Sequence, residues 1–430
     1  MSAFDRSERF LVELPEILTD IASPRMPDYV DDLLAQTAAT PQRPRWTFIE
    51  RWLPMGAIAR RPLFFPTVPW RTIVTVALLI ALLAVALIVA GSQNRVPPPF
   101  GPARNGAFAF GDGDIFTRDA GGATRLVLGG PTDDFAAGFS RDGTRIMFLR
   151  RTAGESGKLS ERLQMMVASA DGSNPVAITE PLIAPDWSDL AADDSFLIVA
   201  TGDPVFGQFL KFVNVKTPGP THQIDVGDPQ MTFLVPNFLG PTGAEIVFRG
   251  ETRVSDQRHS GLFAVRPDGG GLRPLTPTDG GGGDYLFPQP SPDGHYITYT
   301  TWDDPAQLNR IHVLDLRAGG DRIVSNPGLS QGFASFSPDS QRIVFLTYGA
   351  DRTQVTVAAV DGSGQLAMGP NYANVKDASV GGIFSPDGKS VLVNDSGSKE
   401  TRIVDVATGG DGQLLDWSRG NISGWQRLAP

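Results

Sequence analysis

One short pattern constrains this chain's fold more than any other feature. An aromatic residue or proline is followed by Ser, by Pro or Arg, by Asp, and by Gly or Ser, and then by a run suited to a strand. It is clearest at Phe336-Ser337-Pro338-Asp339-Ser340, followed by Arg342 to Leu346, and at Phe384-Ser385-Pro386-Asp387-Gly388, followed by Ser390 to Asn394. Two more copies are Phe139-Ser140-Arg141-Asp142-Gly143 with Arg145 to Leu149, and Pro290-Ser291-Pro292-Asp293-Gly294 with Tyr296 to Thr300. Weaker copies begin at Trp187 and Phe238, and successive starts lie 48, 51, 52, 46 and 48 residues apart. A period near 50 that contains only strand-type segments is the mark of a β-propeller.

The chemistry of each unit explains its shape. Proline fixes φ at the first central turn position, Asp hydrogen-bonds locally, and Gly supplies the positive φ that joins two antiparallel strands tightly. The Phe or Trp before the turn is expected to pack between neighbouring blades. After the turn come a buried central strand, a third strand such as Leu262 to Val265 or Arg310 to Leu316, and a turn such as Pro267-Asp268-Gly269-Gly270. A polar outer strand such as Asp321 to Ser325 closes the unit. Gly106 to Phe110, Asp114 to Arg118 and Thr124 to Leu128 supply three strands, and Asn421 to Arg427 supplies the fourth. The fold expected is therefore all-β: a propeller over 106–430 made of four-stranded blades, closed by a shared first-and-last blade that leaves no free sheet edge. Seven blades are favoured by the strand count, and six is the alternative because the unit near Trp187 is irregular.

These repeats resemble the TolB-like, WD-type bacterial propeller over roughly three quarters of the chain. That resemblance implies a fold and leaves the function open. The wider arrangement is a short Pro-, Arg- and Trp-containing segment, one apolar run and such a propeller. It also resembles bacterial membrane proteins that pair with alternative sigma factors. The zinc-binding His-Cys signature of many anti-sigma factors is absent, since the chain has no Cys and its first His is His222.

The apolar run is Thr72 to Ala90, free of charge, proline and glycine. At about 1.5 Å rise per residue it reaches roughly 28 Å as a helix, close to the ~30 Å hydrocarbon core of a bilayer. About 70 residues precede it and no small-x-small cleavage pattern follows closely, so a retained signal anchor is expected. Arg51, Arg60, Arg61 and Arg71 on one side, against Arg95 and Arg104 on the other, place the N-terminus in the cytoplasm. The expected product is a single-pass plasma-membrane protein of the bacterial cell envelope, with its propeller extracytoplasmic.

The remaining segments follow from that division. In 1–71, Phe10, Leu14, Ile17, Leu18 and Ile21 share one helical face, and a second short helix is expected from Pro27 with Val30, Leu33 and Leu34 as its stripe. Such stripes suit docking to a cytoplasmic partner, a sigma factor among the options. Residues 41–71 interleave Arg with Trp and Phe, as in a segment lying in the membrane interface. The Pro-rich stretch 91–105 reads as a semi-rigid spacer. The net charge of −10 lies beyond the apolar run: 1–42 has three Arg against eight Asp or Glu, and 43–71 has six Arg against Glu50. An acidic domain argues against nucleic acid as its ligand.

No sequence pattern for catalysis is present. The chain has no G-x-S-x-G elbow, no H-E-x-x-H, no P-loop and no dinucleotide-binding glycine fingerprint. With no cysteine it has no disulfide, thiol nucleophile or cysteine-held metal. His222, His259, His295 and His312 fall at unrelated places in their repeats and read as structural. Asp112, Asp114, Asp193, Asp194, Asp303 and Asp304 lack the spacing of a calcium loop. Asp142, Asp293, Asp339 and Asp387 read as turn residues, and Gly280 to Gly283 as a loop. No catalytic, cofactor-binding or metal residue is expected, and no cofactor. The expectation is a non-enzymatic propeller that binds a protein or ligand on its face or at its channel mouth. The alternative is a propeller lyase or glycosidase with acidic residues converging on the axis.

Overall fold

A computed structural model describes residues 74–83 and residues 101–429 except 154–158, 184, 191–195, 204–206, 215–221, 228–230, 241–242, 255–256, 278–285, 304, 375–378 and 419–421. The chain divides into two units, 1–88 and 89–430. In the first, 74–83 form a helix whose apolar side chains are exposed all round, from 48% at Val74 to 62% at Ile80. No helix among the described residues is long and apolar enough to cross a membrane. The rest of the apolar run, the two expected N-terminal helices and the Arg-rich stretch lie outside the described residues.

The second unit is an all-β propeller with six hydrogen-bonded blades. Five are four-stranded antiparallel sheets, at 185–223, 232–274, 286–323, 330–373 and 380–414, with strands adjacent in chain order. Local turn chemistry accounts for that order. In the Ser-x-Asp turns the Ser hydroxyl donates to the Asp carboxylate at 2.6 Å in all four clear copies. The same carboxylates accept from the backbone N–H two residues on, at 2.9 to 3.0 Å. The turn at Arg266 is held by the Gly269 N–H donating to the Arg266 carbonyl at 2.9 Å.

The first blade has eight strands, and it corrects the favoured count of seven to six. The strand Arg104–Arg118 turns sharply at Gly111 to Asp114, where a side chain on Gly111 (φ +138°) would collide with the Asp114 carbonyl. Its early residues pair with Ile422–Leu428 and its last four with Thr124–Leu128, as the ring-closing set should. The turn itself pairs with the next set, Asp112 opposite Phe135 and Gly113 opposite Asp134. Two strand sets expected to stand apart are thereby one sheet. Ala103 is buried and the first strand begins at Arg104, two residues before the expected start of the propeller.

The core is a series of apolar seams between blade faces rather than one central mass. Leu210 of the second blade packs with Phe238, Ile246 and Phe248 of the third. Val247 and Leu262 meet Ile297 and Tyr299 of the fourth blade. Val344 and Val355 meet Val391 and Val404 across the fifth and sixth. The ring closes where Phe108 and Ile422 meet Leu392, with the Phe108 and Trp425 rings 4.6 Å apart. The motif aromatics Phe139, Phe238, Phe336 and Phe384 lie in or against these seams.

Candidate functional site, a cavity beside the inner strands

The first strands of the second to fifth blades touch in succession, so they form an inner ring. Most of them share a device that the repeat pattern did not reveal. Thr232–Leu239, Leu286–Pro290 and Ser330–Phe336, and with them Asp133–Phe139 of the first blade, each carry one extra residue relative to the strand they pair with. Such a bulge bends the strand and re-aims a side chain. Within each bulge one residue takes a left-handed conformation: Ala136, Val235, Phe287 and Phe333, with φ between +49° and +58°. Non-glycine residues, and a β-branched valine above all, avoid that region, so tertiary contacts must hold them there.

The contacts are visible across blades. The Phe333 N–H donates to Thr300 Oγ1 at 3.1 Å, and Thr298 Oγ1 donates to the Ala334 carbonyl at 2.9 Å. Asn237 Nδ2 likewise donates to the Pro288 carbonyl at 2.9 Å. The bulged residues then place Phe287 and Phe333 with ring centroids 4.3 Å apart, and Tyr348 meets Phe333 edge-on at 6.3 Å.

The sixth blade interrupts this pattern. Its first strand, Val380–Phe384, pairs with Ser390–Asp395 in unbroken register, so it has no residue to set where Phe333 stands on its own strand. Gly381 and Gly382 leave it without side chains at two successive positions. It packs against the second and third strands of the fifth blade. Between the two blades a cavity of about 610 Å³ remains, within the ~300–1,000 Å³ usual for ligand pockets. Phe333, Phe345, Leu346, Val380, Ile383 and Leu392 supply its apolar wall, and Phe333 and Ile383 are each 40% exposed.

Polar groups at the cavity are mostly engaged. Asp395 is the carboxylate among the lining residues. One of its oxygens accepts from the Gly397 N–H at 3.0 Å, the other from the Ser398 N–H and hydroxyl at 3.0 and 2.6 Å. Asn394 donates to the Ile422 carbonyl at 3.0 Å and accepts from Thr401 Oγ1 at 2.8 Å. Thr353 Oγ1 donates to Asn374 Oδ1 at 2.7 Å, and the Asn374 amide NH2 makes no hydrogen bond among the described residues. The Tyr348 hydroxyl has no hydrogen bond among the described residues, and burial pushes its pKa well above the usual phenol value.

A second constellation lies on the fourth blade, also unforeseen from the repeats. His312 sits with Thr301 Oγ1 3.0 Å from Nε2 and Asp321 Oδ2 3.0 Å from Nδ1. Tyr299 donates its hydroxyl to the same Asp321 oxygen at 2.7 Å, and its ring stacks on His312 at 4.8 Å. Burial works against the Asp321 charge, but the bonds from His312 and Tyr299 outweigh it and hold the carboxyl below its usual range. Cross-strand register brings these groups onto one blade face, because Tyr299 opposes His312 and His312 opposes Ile323. The arrangement ties three strands together at the seam that Tyr299 shares with the third blade.

The other residues singled out in the sequence do not gather. His222 is exposed on an outer strand, His259 lies in Gln257–Val265, and His295 Nδ1 is 3.1 Å from Asp293 within a turn. Asp303 pairs with Arg310 at 3.2 Å, and Asp114 accepts from the Gly130 N–H at 3.3 Å. Asp193, Asp194, Asp304 and Gly280 to Gly283 lie outside the described residues. Among the described residues, no three His, Asp or Glu side chains could hold a metal ion together.

No protein-family model and no curated protein matches the sequence. Among solved structures, the chain is similar to a prolyl endopeptidase at 14% identity and TM-score 0.52, over 83% of this chain and 56% of that one. It is also similar to a TolB from Agrobacterium tumefaciens at 16% identity and TM-score 0.43, over 64% of this chain and 94% of that one. An oligogalacturonate lyase in complex with manganese matches at 16% identity and TM-score 0.49, over 65% of this chain and 78% of that one. Identities this low speak to fold alone. The fold is the β-propeller that the strands themselves define.

Proposed function

We propose that this chain is a non-catalytic binding propeller, anchored by its apolar run with the N-terminus in the cytoplasm, and that its ligand enters the cavity between the fifth and sixth blades. The observation that carries the reading is the cavity itself: about 610 Å³ of largely apolar space in which Phe333 and Ile383 stay exposed. A concave, mostly apolar pocket with a few placed polar groups is the usual form of a binding site. The enzyme alternative asks for facing carboxylates with room for a substrate between them. Here the lining carboxylate, Asp395, spends both oxygens on its own turn. The anchoring half draws support from the helix 74–83, apolar on every face, which is the character of a helix surrounded by lipid.

The absence of native cysteine makes topology directly measurable. Ser379→Cys and Ala35→Cys are introduced separately, and intact cells are treated with a membrane-impermeant maleimide. Labelling of Ser379→Cys alone is the expected result, and labelling of Ala35→Cys alone would reverse the orientation. For the site, a photo-crosslinking amino acid at Ile383 in native membranes should form adducts that Gly381→Leu abolishes. The same amino acid at Ile323, on an outer strand, should form none. Equal adducts at both positions would remove the cavity as the binding site.

A further inference from the structure

From the interrupted row of aromatic contacts on the inner ring, we propose that the cavity binds a planar aromatic small molecule carrying a hydrogen-bonding group on its edge, stacked on Phe333 in the space left open beside Gly381. The proposal rests on the cavity being the binding site. Its starting point is a comparison between equivalent glycines. Gly332 opposes Leu346 in the fifth blade, and Gly381 opposes Asn394 in the sixth. A Cβ on Gly332 would meet Thr300 Cγ2 at 3.0 Å, because the fourth and fifth blades close tightly there. A Cβ on Gly381 would meet nothing within 4 Å. The seam that is filled one blade earlier is open here.

What would fill it is set by the groups on its wall. The Phe287 ring lies against Phe333 from the fourth blade, tilted by 44° to it, and the sixth blade offers no third ring because its strand has no bulge. Phe333 is left 40% exposed, which is costly for a phenylalanine held in a left-handed conformation. A flat ring laid on it would continue the row, and aromatic pairs gain about 0.5–1.5 kcal/mol beyond the area they bury. Leu346 and Ile383 bound the slot with aliphatic surface. Among the described residues, the Tyr348 hydroxyl and the Asn374 amide NH2 are the polar groups left to meet a substituent at the ring edge. Asp395, already saturated by its turn, gives no reason to select a cation.

The test uses the full-length chain in detergent, with 4-hydroxybenzamide as probe and its saturated counterpart, 4-hydroxycyclohexanecarboxamide, as shape control. Binding is followed by saturation-transfer NMR, with detergent alone as blank. The aromatic probe is expected to bind about fivefold more tightly than the saturated one, in line with the stacking magnitude. Phe333→Leu should erase that preference, and Gly381→Leu should abolish binding of both. Gly320→Leu, on an outer strand where a Cβ likewise meets nothing within 4 Å, should change neither. Thermal unfolding of each variant confirms that it is folded. Equal binding of both probes, blocked by Gly381→Leu, would keep the cavity as the site and overturn the aromatic proposal. No binding of either probe, or binding indifferent to Gly381→Leu, would overturn both.

Discussion

The first strands of the fifth and sixth blades begin from the same repeat and end differently. Ser330–Phe336 takes an extra residue, turns Phe333 into the inner ring and fastens its backbone to Thr298 and Thr300 of the neighbouring blade. Val380–Phe384 stays in plain register and carries two glycines. Yet the Ser-x-Asp turns that follow are alike, with Ser337 to Asp339 and Ser385 to Asp387 both at 2.6 Å. The scaffold is thus repeated where the turn sets strand pairing, and free to vary where a strand faces the middle. In this propeller the variation opens a cavity.

That contrast can be broken first on its packed side. Phe345 is buried in the seam between the fourth and fifth blades and also forms cavity wall, so Phe345→Ala should cost about 3–5 kcal/mol of stability. Chemical denaturation measures it, and a loss below 1 kcal/mol would mean that the fifth blade is not tightly packed either. Next comes Gly382→Val. A Cβ there would lie 2.6 Å from Val355 Cγ1 and 3.0 Å from Val344 Cγ2, an overpacking expected to cost about 1–3 kcal/mol. Gly381→Ala, one residue away, should stay within about 0.5 kcal/mol of the parent. Equal effects at the two glycines would erase the distinction between closed and open faces of the same strand.

Two smaller effects sharpen the picture around polar groups. Asp321→Asn should lose about 1 kcal/mol at neutral pH, discounted because the side chain is 40% exposed. The Asp321 pKa is depressed on folding, so its contribution is full above the ordinary value of 3.8 and vanishes as pH falls through the lower folded value. Denaturation at pH 6 should separate parent and variant, and near pH 2 the difference should close. Tyr372→Phe should stabilise by about 1 kcal/mol, because the hydroxyl is buried between the fifth and sixth blades without a hydrogen bond among the described residues. Burial pushes that phenol up to about 12, so the parent should also weaken as pH rises from 10 towards 12, and the variant should weaken less.

What could be read from the sequence was whatever local chemistry decides. Pro, Asp and Gly at fixed offsets specify a turn without help from the rest of the chain, and the segment Asn421 to Arg427 was legible as the strand that closes the ring. The blade count went astray at two pairings, Asp112 with Phe135 and Gly113 with Asp134, in which the turn between two expected strands also joins the next sheet. The cavity was out of reach for a different reason. Val235, Phe287 and Phe333 are residue types that avoid positive φ, so nothing in their identity announces a bulge; only neighbouring blades impose it. The two successive glycines Gly381 and Gly382, against the single Gly332 one blade earlier, were the available signal. The cluster of Thr301, His312 and Asp321 likewise depends on register between three strands, which spacing along the chain does not fix.

The way the ring closes also says something about how the protein is made. Arg104 Nε donates to the Ala429 carbonyl at 2.6 Å, Gln426 Nε2 to the Gly143 carbonyl at 2.7 Å, and Ser423 Oγ to the Ala137 carbonyl at 2.6 Å. The earliest blade therefore waits for residues that leave the ribosome some 300 positions later. Any product cut short before Ile422–Leu428 would carry a raw strand edge, an invitation to proteases and to sister chains, so making the closing strand doubles as a licence to survive.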